Sequence, residues 1–337
     1  MELLATPDNP VPGDAHVVAV ATSDRLTLRA AWWSATAEPA RGTVCILQGR
    51  AEFIEKYFEV VAELRQRGFA VLAFDWRGQG GSGREVENPR KGHVCDFSRY
   101  GRDLDAIREQ ILEPLMPKPY FGLAHSMGAA LALWASWEDR LPFERLVALT
   151  PMVALRLVQR PRLASSLALI LNVLGFGKSF IPGGGETSIA RKPFSGNRLT
   201  SDPCRYARNA AAATAVGAGA VGDPTVAWVC GAFRFMRKLA DPRLPRGIHT
   251  PTLVIAAGAD PVCTTPAIEL FAARLKAGHA IVIPGARHEI LMERDRIRED
   301  FWAAFDAFVP GTPARDYARS PVEKLERDRV QAAVAGG

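Results

Sequence analysis

No two of the cysteines Cys45, Cys95, Cys204, Cys230 and Cys263 stand close enough in sequence to form a CxxC unit. That removes zinc ribbons and thioredoxin-like redox pairs from consideration, and an odd set of scattered thiols fits a reduced compartment. Also missing is a basic, apolar leader: Met1-Glu2-Leu3-Leu4 is followed within a few residues by Pro7 and Asp8, so no signal peptide is expected. No apolar run reaches the roughly 20 residues that cross a bilayer; the longest, Leu163 to Phe176, carries Ser165, Ser166 and Asn172. Lys and Arg form no long block, and the formal net charge of +6 arises from 42 basic against 36 acidic residues. Nucleic acid is therefore not an expected partner. The mild excess reads as a solvated basic face, which also suits contact with anionic lipid. The expectation is a cytoplasmic protein that can lie peripherally on the inner membrane.

What is present is an ordinary globular composition, 48% hydrophobic over 337 residues, enough for a sizeable core. Two β-like runs, His16 to Thr22 and Leu26 to Trp33, flank the turn-like Ser23-Asp24-Arg25 and predict an N-terminal hairpin. Apolar runs at Val44 to Leu47, Phe69 to Phe74, Tyr120 to Ala124 and Leu146 to Leu149 then alternate with helical periodicity. Such alternation predicts an α/β fold with a mostly parallel sheet, because parallel neighbours need a long crossover. It stops near Pro151 and resumes at Thr252 to Gly258, followed by a helical stretch from Pro266 and a strand at Ala280 to Ile283. Between them lie an apolar helical stretch (Leu163 to Leu174), a break at Gly183-Gly184-Gly185, and an Ala/Gly-rich run from Ala210 to Gly222. The expected organisation is a core over 1–151 and 249–312, an inserted helical cap or lid over 152–248, and a peripheral charged tail over 313–337.

Tyr120 to Ala124 reads as a strand and Met127 to Ser136 as a helix, leaving His125 and Ser126 at the corner. A serine at such a corner is presented by a strained turn as a nucleophile, and the strain demands small residues two positions either side. Ala124 and Gly128 meet that demand, although alanine stands where glycine is usual. The alternative is an ordinary serine N-cap. Serine is a weak nucleophile unless a histidine takes its proton and an acid orients that histidine. In the order Ser, acid, His, the candidates are Asp260, just past the strand ending at Gly258, and His288, after the next strand. His16 and His93 precede the serine, His125 adjoins it, and His249 and His279 are expected ahead of strands. Glu289 and Asp241 stand as alternative acids. Two backbone N–H donors must face the oxyanion: Met127 follows the nucleophile, and Arg50 lies in the Gln48 to Glu52 loop after an early strand. No metal and no cofactor is required. Gly78-Gln-Gly80-Gly-Ser-Gly83 matches GxGxxG, but the following Arg84 to Pro89 does not open a helix and position 98 is Ser98 rather than an acid, so no dinucleotide site is expected.

Gln48 to Tyr57, Phe74-Asp-Trp-Arg-Gly-Gln-Gly-Gly-Ser82, Gly92-His-Val94, Ala124 to Gly128, Asp260 and Pro284-Gly-Ala-Arg-His288-Glu289 together resemble a known group. They are similar to the bacterial lysophospholipase L2 and monoacylglycerol lipase branch of the α/β hydrolases, serine aminopeptidase S33-like, over roughly residues 15 to 310. The departures are Ala124 and Gln48, where lipase-like relatives often carry Gly and His. The resemblance implies the α/β-hydrolase fold, a structural role for the Asp75 to Ser82 segment, and hydrolysis of a carboxylic ester bearing one long acyl chain. Leu163 to Leu174 after Arg156, Arg160 and Arg162 suits an acyl tunnel beside an anionic lipid surface; a buried cap helix is the plainer reading. Three rivals use the same scaffold. A prolyl-type aminopeptidase would need an acid in the cap, for which Glu186 is a candidate. A dehalogenase would carry Asp at position 126, and a non-catalytic binding protein would lack part of the triad.

Overall fold

The computed structural model describes residues 1–310, so the tail expected over 313–337 lies outside the described residues. Strands β1 (Ala15–Ala21) and β2 (Thr27–Trp33) form the expected antiparallel hairpin, with His16 stacked on Trp32. Then come β3 (Thr43–Leu47), α1 (Phe58–Gln66), β4 (Ala70–Phe74) and α2 (Ser98–Ile107), which runs through a π-helical turn into α3 (Glu113–Leu115). β5 (Tyr120–His125) leads directly into α4 (Ser126–Trp137), and β6 (Arg145–Leu149) follows. A long insert carries α5 (Pro161–Val173), α6 (Pro203–Val216), α7 (Val226–Leu239) and α8 (Arg243–Arg246). The chain then returns as β7 (Thr252–Ala257), α9 (Thr265–Ala272), β8 (Gly278–Ile283) and α10 (Asp295–Phe308).

The eight strands form one sheet in the order β1-β2-β4-β3-β5-β6-β7-β8. β2 pairs antiparallel with β1 and β4, and every later pairing is parallel. The period of two along a strand divides its side chains between two faces. On β3, Cys45 and Leu47 join one apolar cluster while Val44 and Ile46 join the other; on β4, Leu72 and Phe74 oppose Val71 and Ala73 in the same way. Leu104 of α2, Leu131 of α4 and Ile268 of α9 cover the first face; Val60 of α1 and Phe301 of α10 cover the second. With both faces covered, each buried Leu, Ile or Phe contributes about 1.5–3 kcal/mol, and no polar alternation is needed. That is why the central strands read as unbroken apolar runs.

One boundary differs from the pattern reading. β8 begins at Gly278, so His279 lies inside that strand rather than ahead of it. This edge strand is exposed on several residues, and backbone pairing with β7 extends it beyond its apolar segment. The Ala/Gly-rich run divides between α6, which stops at Val216, and a 3₁₀ turn at Gly217–Gly219.

The glycine-rich segment after β4 has a structural task. No helix opens there, α2 starting only at Ser98; instead the loop wraps the buried Asp75. The Asp75 carboxylate accepts from Gly81 N–H (2.7 Å), Ile54 N–H (3.0 Å) and Arg29 Nε (2.7 Å), and Ser82 Oγ donates to the Asp75 carbonyl (2.6 Å). Gly80 has φ +54°, and a Cβ there would stand 2.1 Å from Asp75 Cγ. Gly80→Ala is therefore expected to destabilise the fold by about 2 kcal/mol or more. Urea denaturation checks this, and an unchanged midpoint would contradict it.

Candidate active site

Ser126 is the first residue of α4, immediately after β5. Its φ is +51°, a left-handed value that a non-glycine residue rarely keeps without compensation. The compensation is packing. A Cβ on Gly128 would lie 2.3 Å from the carbonyl oxygens of both Leu47 and Gln48, so the first turn of α4 rides directly on the end of β3. Ala124, completely buried, shows that a methyl group fits at the other small position. The turn is thus a product of close approach, not of a capping side chain.

The three residues expected to act together do meet. Asp260 lies past the end of β7 and His288 past the end of β8. His288 Nε2 is 2.9 Å from Ser126 Oγ, and His288 Nδ1 is 2.9 Å from Asp260 Oδ2. A carboxylate can only accept, so Nδ1 carries the proton and Nε2 presents its lone pair to the serine hydroxyl. Asp260 Oδ1 accepts from Val262 N–H (2.7 Å) and Cys263 N–H (3.0 Å). Burial pushes the Asp260 carboxyl up, but His288 and these two N–H groups outweigh it and hold it below the usual range. The side-chain ligand atoms of Asp260, Cys263 and His288 lie within 4.8 Å of one another. This is a poor cation site, because burial and the Asp260 charge push the Cys263 thiol well up and the other two residues already bond each other.

The remaining candidates separate by position. Asp241 is tied to Arg243 on the surface, and Glu289 is buried against Lys56 Nζ at 2.6 Å. His93 Nδ1 lies 3.0 Å from Thr225 Oγ1. Arg50 sits in the turn after β3, and its backbone N–H has no hydrogen-bond partner among the described residues. That turn is braced by Gln79, whose amide donates to the carbonyls of Gly49 (2.8 Å) and Glu52 (2.9 Å) and accepts from Ala51 N–H (3.0 Å). Trp76 Nε1 donates to the Gln48 carbonyl at 2.8 Å. Gln48 itself is buried, and its side-chain amide has no partner among the described residues.

Glu52, Lys56 and Tyr57 lie within the family-like Gln48 to Tyr57 segment, and the sequence alone assigns them no task. They form a charged knot behind the site. Glu52 accepts from Lys56 Nζ (2.6 Å) and Tyr57 Oη (2.6 Å) and lies 3.0 Å from His125 Nδ1; it also accepts from Gly49 N–H. His125 Nε2 is 3.1 Å from the His288 carbonyl oxygen, which Thr150 Oγ1 also approaches at 3.1 Å. One side chain therefore links the turn after β3, the serine corner and the His288 loop. A glutamate three residues after a glycine in the loop after β3 was the available signal, but the partner that carries it to the serine corner, His125, comes from a distant segment. Burial favours losing the His125 proton, yet the Glu52 charge and hydrogen bond outweigh it and raise the ring above its ordinary value. Both ring nitrogens face acceptors, which suits the imidazolium.

A serine at a left-handed strand–helix corner, over a mostly parallel sheet with an acid and a histidine after the last two strands, is the arrangement of the α/β hydrolases. The overall architecture agrees: a monoglyceride lipase from Saccharomyces cerevisiae superimposes with a TM-score of 0.69 at 17% identity, covering 87% of this chain and 95% of that one. Residues 38–295 match the serine aminopeptidase, S33 family, and the chain belongs to it. Lysophospholipase L2 of Escherichia coli (strain K12) is 34% identical over 268 residues, 76% of either chain. A probable lysophospholipase L2 of Haemophilus influenzae is 28% identical over 271 residues, 80% of this chain and 84% of that one.

The knot makes stability depend on pH with a definite sign. His125 binds its proton more tightly folded than unfolded, so its contribution is complete below the unfolded value of 6.5. It is lost as pH rises through the raised folded value. The stability difference between the wild type and His125→Gln should therefore shrink as pH increases from about 6 to about 9. Chemical denaturation at several pH values measures it; a constant difference would argue against a buried imidazolium.

Proposed function

We propose that this chain hydrolyses the carboxylic ester of a single-acyl lipid, a lysophospholipid or a monoacylglycerol, through an acyl-enzyme on Ser126. The observation that carries the reading is the unbroken chain from Asp260 through His288 to Ser126 Oγ, opening into an apolar cavity of about 550 Å³. Such a volume lies within the range of small-molecule sites. Leu157, Leu167, Leu171, Phe233 and Met236 of the insert line it beside Ser126 and His288. The named activities of the relatives, lysophospholipase and monoglyceride lipase, support the same chemistry.

In the proposed reaction His288 Nε2 takes the Ser126 proton as Oγ attacks the ester carbonyl. The resulting oxyanion is held by the Arg50 and Met127 N–H groups. His288 then returns the proton to the departing alcohol, and a water deprotonated by the same nitrogen attacks the acyl-enzyme and releases the acid. Asp260 keeps the ring in the right tautomer throughout. The peptidase alternative is weaker because Glu186 is hydrogen-bonded to Asn88 on the surface and does not line the cavity. A non-catalytic role would leave the serine–histidine–aspartate geometry without a purpose.

The insert, residues 152–248, would act as the cap. Among the described residues no helix is long and apolar enough to cross a membrane. On α5, however, Leu163, Leu169, Ile170 and Val173 are exposed, with Arg160 and Arg162 at its start. We place this face against an anionic lipid surface, from which an acyl chain would enter the cavity.

A fluorophosphonate probe should label the wild type and leave Ser126→Ala unlabelled. Ester turnover by Ser126→Ala should fall by at least about 10⁴-fold, and by Asp260→Asn about 10³–10⁴-fold. Equal labelling of wild type and Ser126→Ala would refute the nucleophile. Co-sedimentation with anionic vesicles should drop severalfold in a Leu163→Asp, Ile170→Asp, Val173→Asp variant, and salt should weaken the wild type. Undiminished sedimentation would place the membrane contact elsewhere.

A further inference from the structure

Two cavities share a wall. Arg198 and Leu157 line the apolar cavity that holds Ser126, and both also line a second cleft of about 610 Å³, open to solvent, with Arg156, Gln159 and Asp260. Arg198 therefore borders both the cavity that holds Ser126 and the open cleft.

The charges of these two cavities are not balanced in kind. Every carboxylate among their lining residues is engaged. Glu52 and Glu289 each meet Lys56 at 2.6 Å, Asp260 meets His288 at 2.9 Å, and Asp223 accepts from Gly185 N–H at 3.1 Å with Lys192 at 3.6 Å. The guanidinium groups are not matched in this way. Arg156 and Arg198 are exposed, and neither side chain has an ion pair or hydrogen bond among the described residues. Arg50, deeper in, donates to the Gly222 carbonyl at 2.7 Å and lies over Trp228, but its buried Nε has no partner. Burial pulls its basicity down to about 10, which the charge of Asp223 only partly offsets, and no carboxylate is bonded to it. A cation held in an apolar wall with its charge only partly compensated is costly, and a ligand anion offsets that cost.

We propose that Arg198 and Arg156 receive the phosphate of the substrate's alcohol portion in this open cleft, so that the site favours single-acyl lipids carrying a phosphodiester over neutral monoacylglycerols. This rests on the acyl-ester reading above and specifies its leaving group. The planar guanidinium matches two phosphate oxygens at once, whereas a glycerol hydroxyl neutralises nothing. Arg50 adds positive potential from inside the cavity without needing to touch the phosphate.

The test uses the full chain and two substrates with the same acyl group, a lysophosphatidylglycerol and a 1-monoacylglycerol. The quantity read is the ratio of their kcat/KM values, which is independent of how much of a variant is folded. Arg198→Ala with Arg156→Ala should lower that ratio tenfold or more, each single variant less, and Arg198→Lys with Arg156→Lys should keep part of it. A ratio within twofold of wild type in the double alanine variant overturns the proposal, whether or not both activities fall together. A companion arm measures a short-chain p-nitrophenyl ester with millimolar inorganic phosphate. Inhibition that disappears in the double variant while the lipid ratio stays constant would mark the cleft as a free-anion site and overturn the headgroup assignment. A wild type with neither labelling nor ester turnover would refute the acyl-ester reading itself.

Discussion

The close approach of α4 to the end of β3 governs this molecule. Gly128 presses on the Leu47 and Gln48 carbonyls with no room for a side chain, and the corner before it accepts a left-handed Ser126. Strain of this kind, of order 1–3 kcal/mol, survives only where surrounding structure determines it. Here the determinants are the parallel register of β3 against β5 and the double-sided core that fixes both strands. A serine raised above the sheet edge is the consequence, and the loops after β7 and β8 open at the same edge, where parallel sheets place their ligands.

Preorganisation continues outward from that corner in two layers. Asp260, His288 and Ser126 form the inner one. The outer layer is ionic and buried: Glu52, Lys56, Glu289 and His125 tie the turn after β3 to the His288 loop, while Gln79 ties the same turn to the glycine-rich segment. A buried charged group set of this kind is a weak source of stability, because desolvation consumes much of the Coulomb gain. Its contribution is geometric: paired side chains join the turn after β3, the serine corner and the His288 loop.

Much of this was legible in the chain. The N-terminal hairpin, the apolar runs of the parallel strands and the strand-to-helix corner at Ser126 are local patterns, and local patterns follow from side-chain periodicity and turn chemistry. The order Ser126, Asp260, His288 could be read because each member sits at the end of a recognisable strand. Less legible were the limits of edge elements. β8 takes in His279 because backbone pairing to β7 extends past its apolar segment, and the alanine-rich run splits because its glycines allow the helix to end. The engagement of Glu52 was not visible, because its carboxylate closes on Gly49, Lys56 and Tyr57 only where the fold brings His125 up to it.

The amino-acid sequence by itself determined the class of the fold, the strand-to-helix corner at Ser126 and the candidate residues placed after the later strands, because those depend on patterns a few residues long. The tertiary structure alone decided that His288 stands at hydrogen-bonding distance from both Ser126 and Asp260, that Glu289 and Asp241 are engaged elsewhere, and which charges are left without a partner. Pairing distances and burial are set by segments that can lie far apart in the chain, as Ser126 and His288 do. Arg198 and Glu52 are both charged residues in loops, and only the folded chain shows that one is engaged and the other is not.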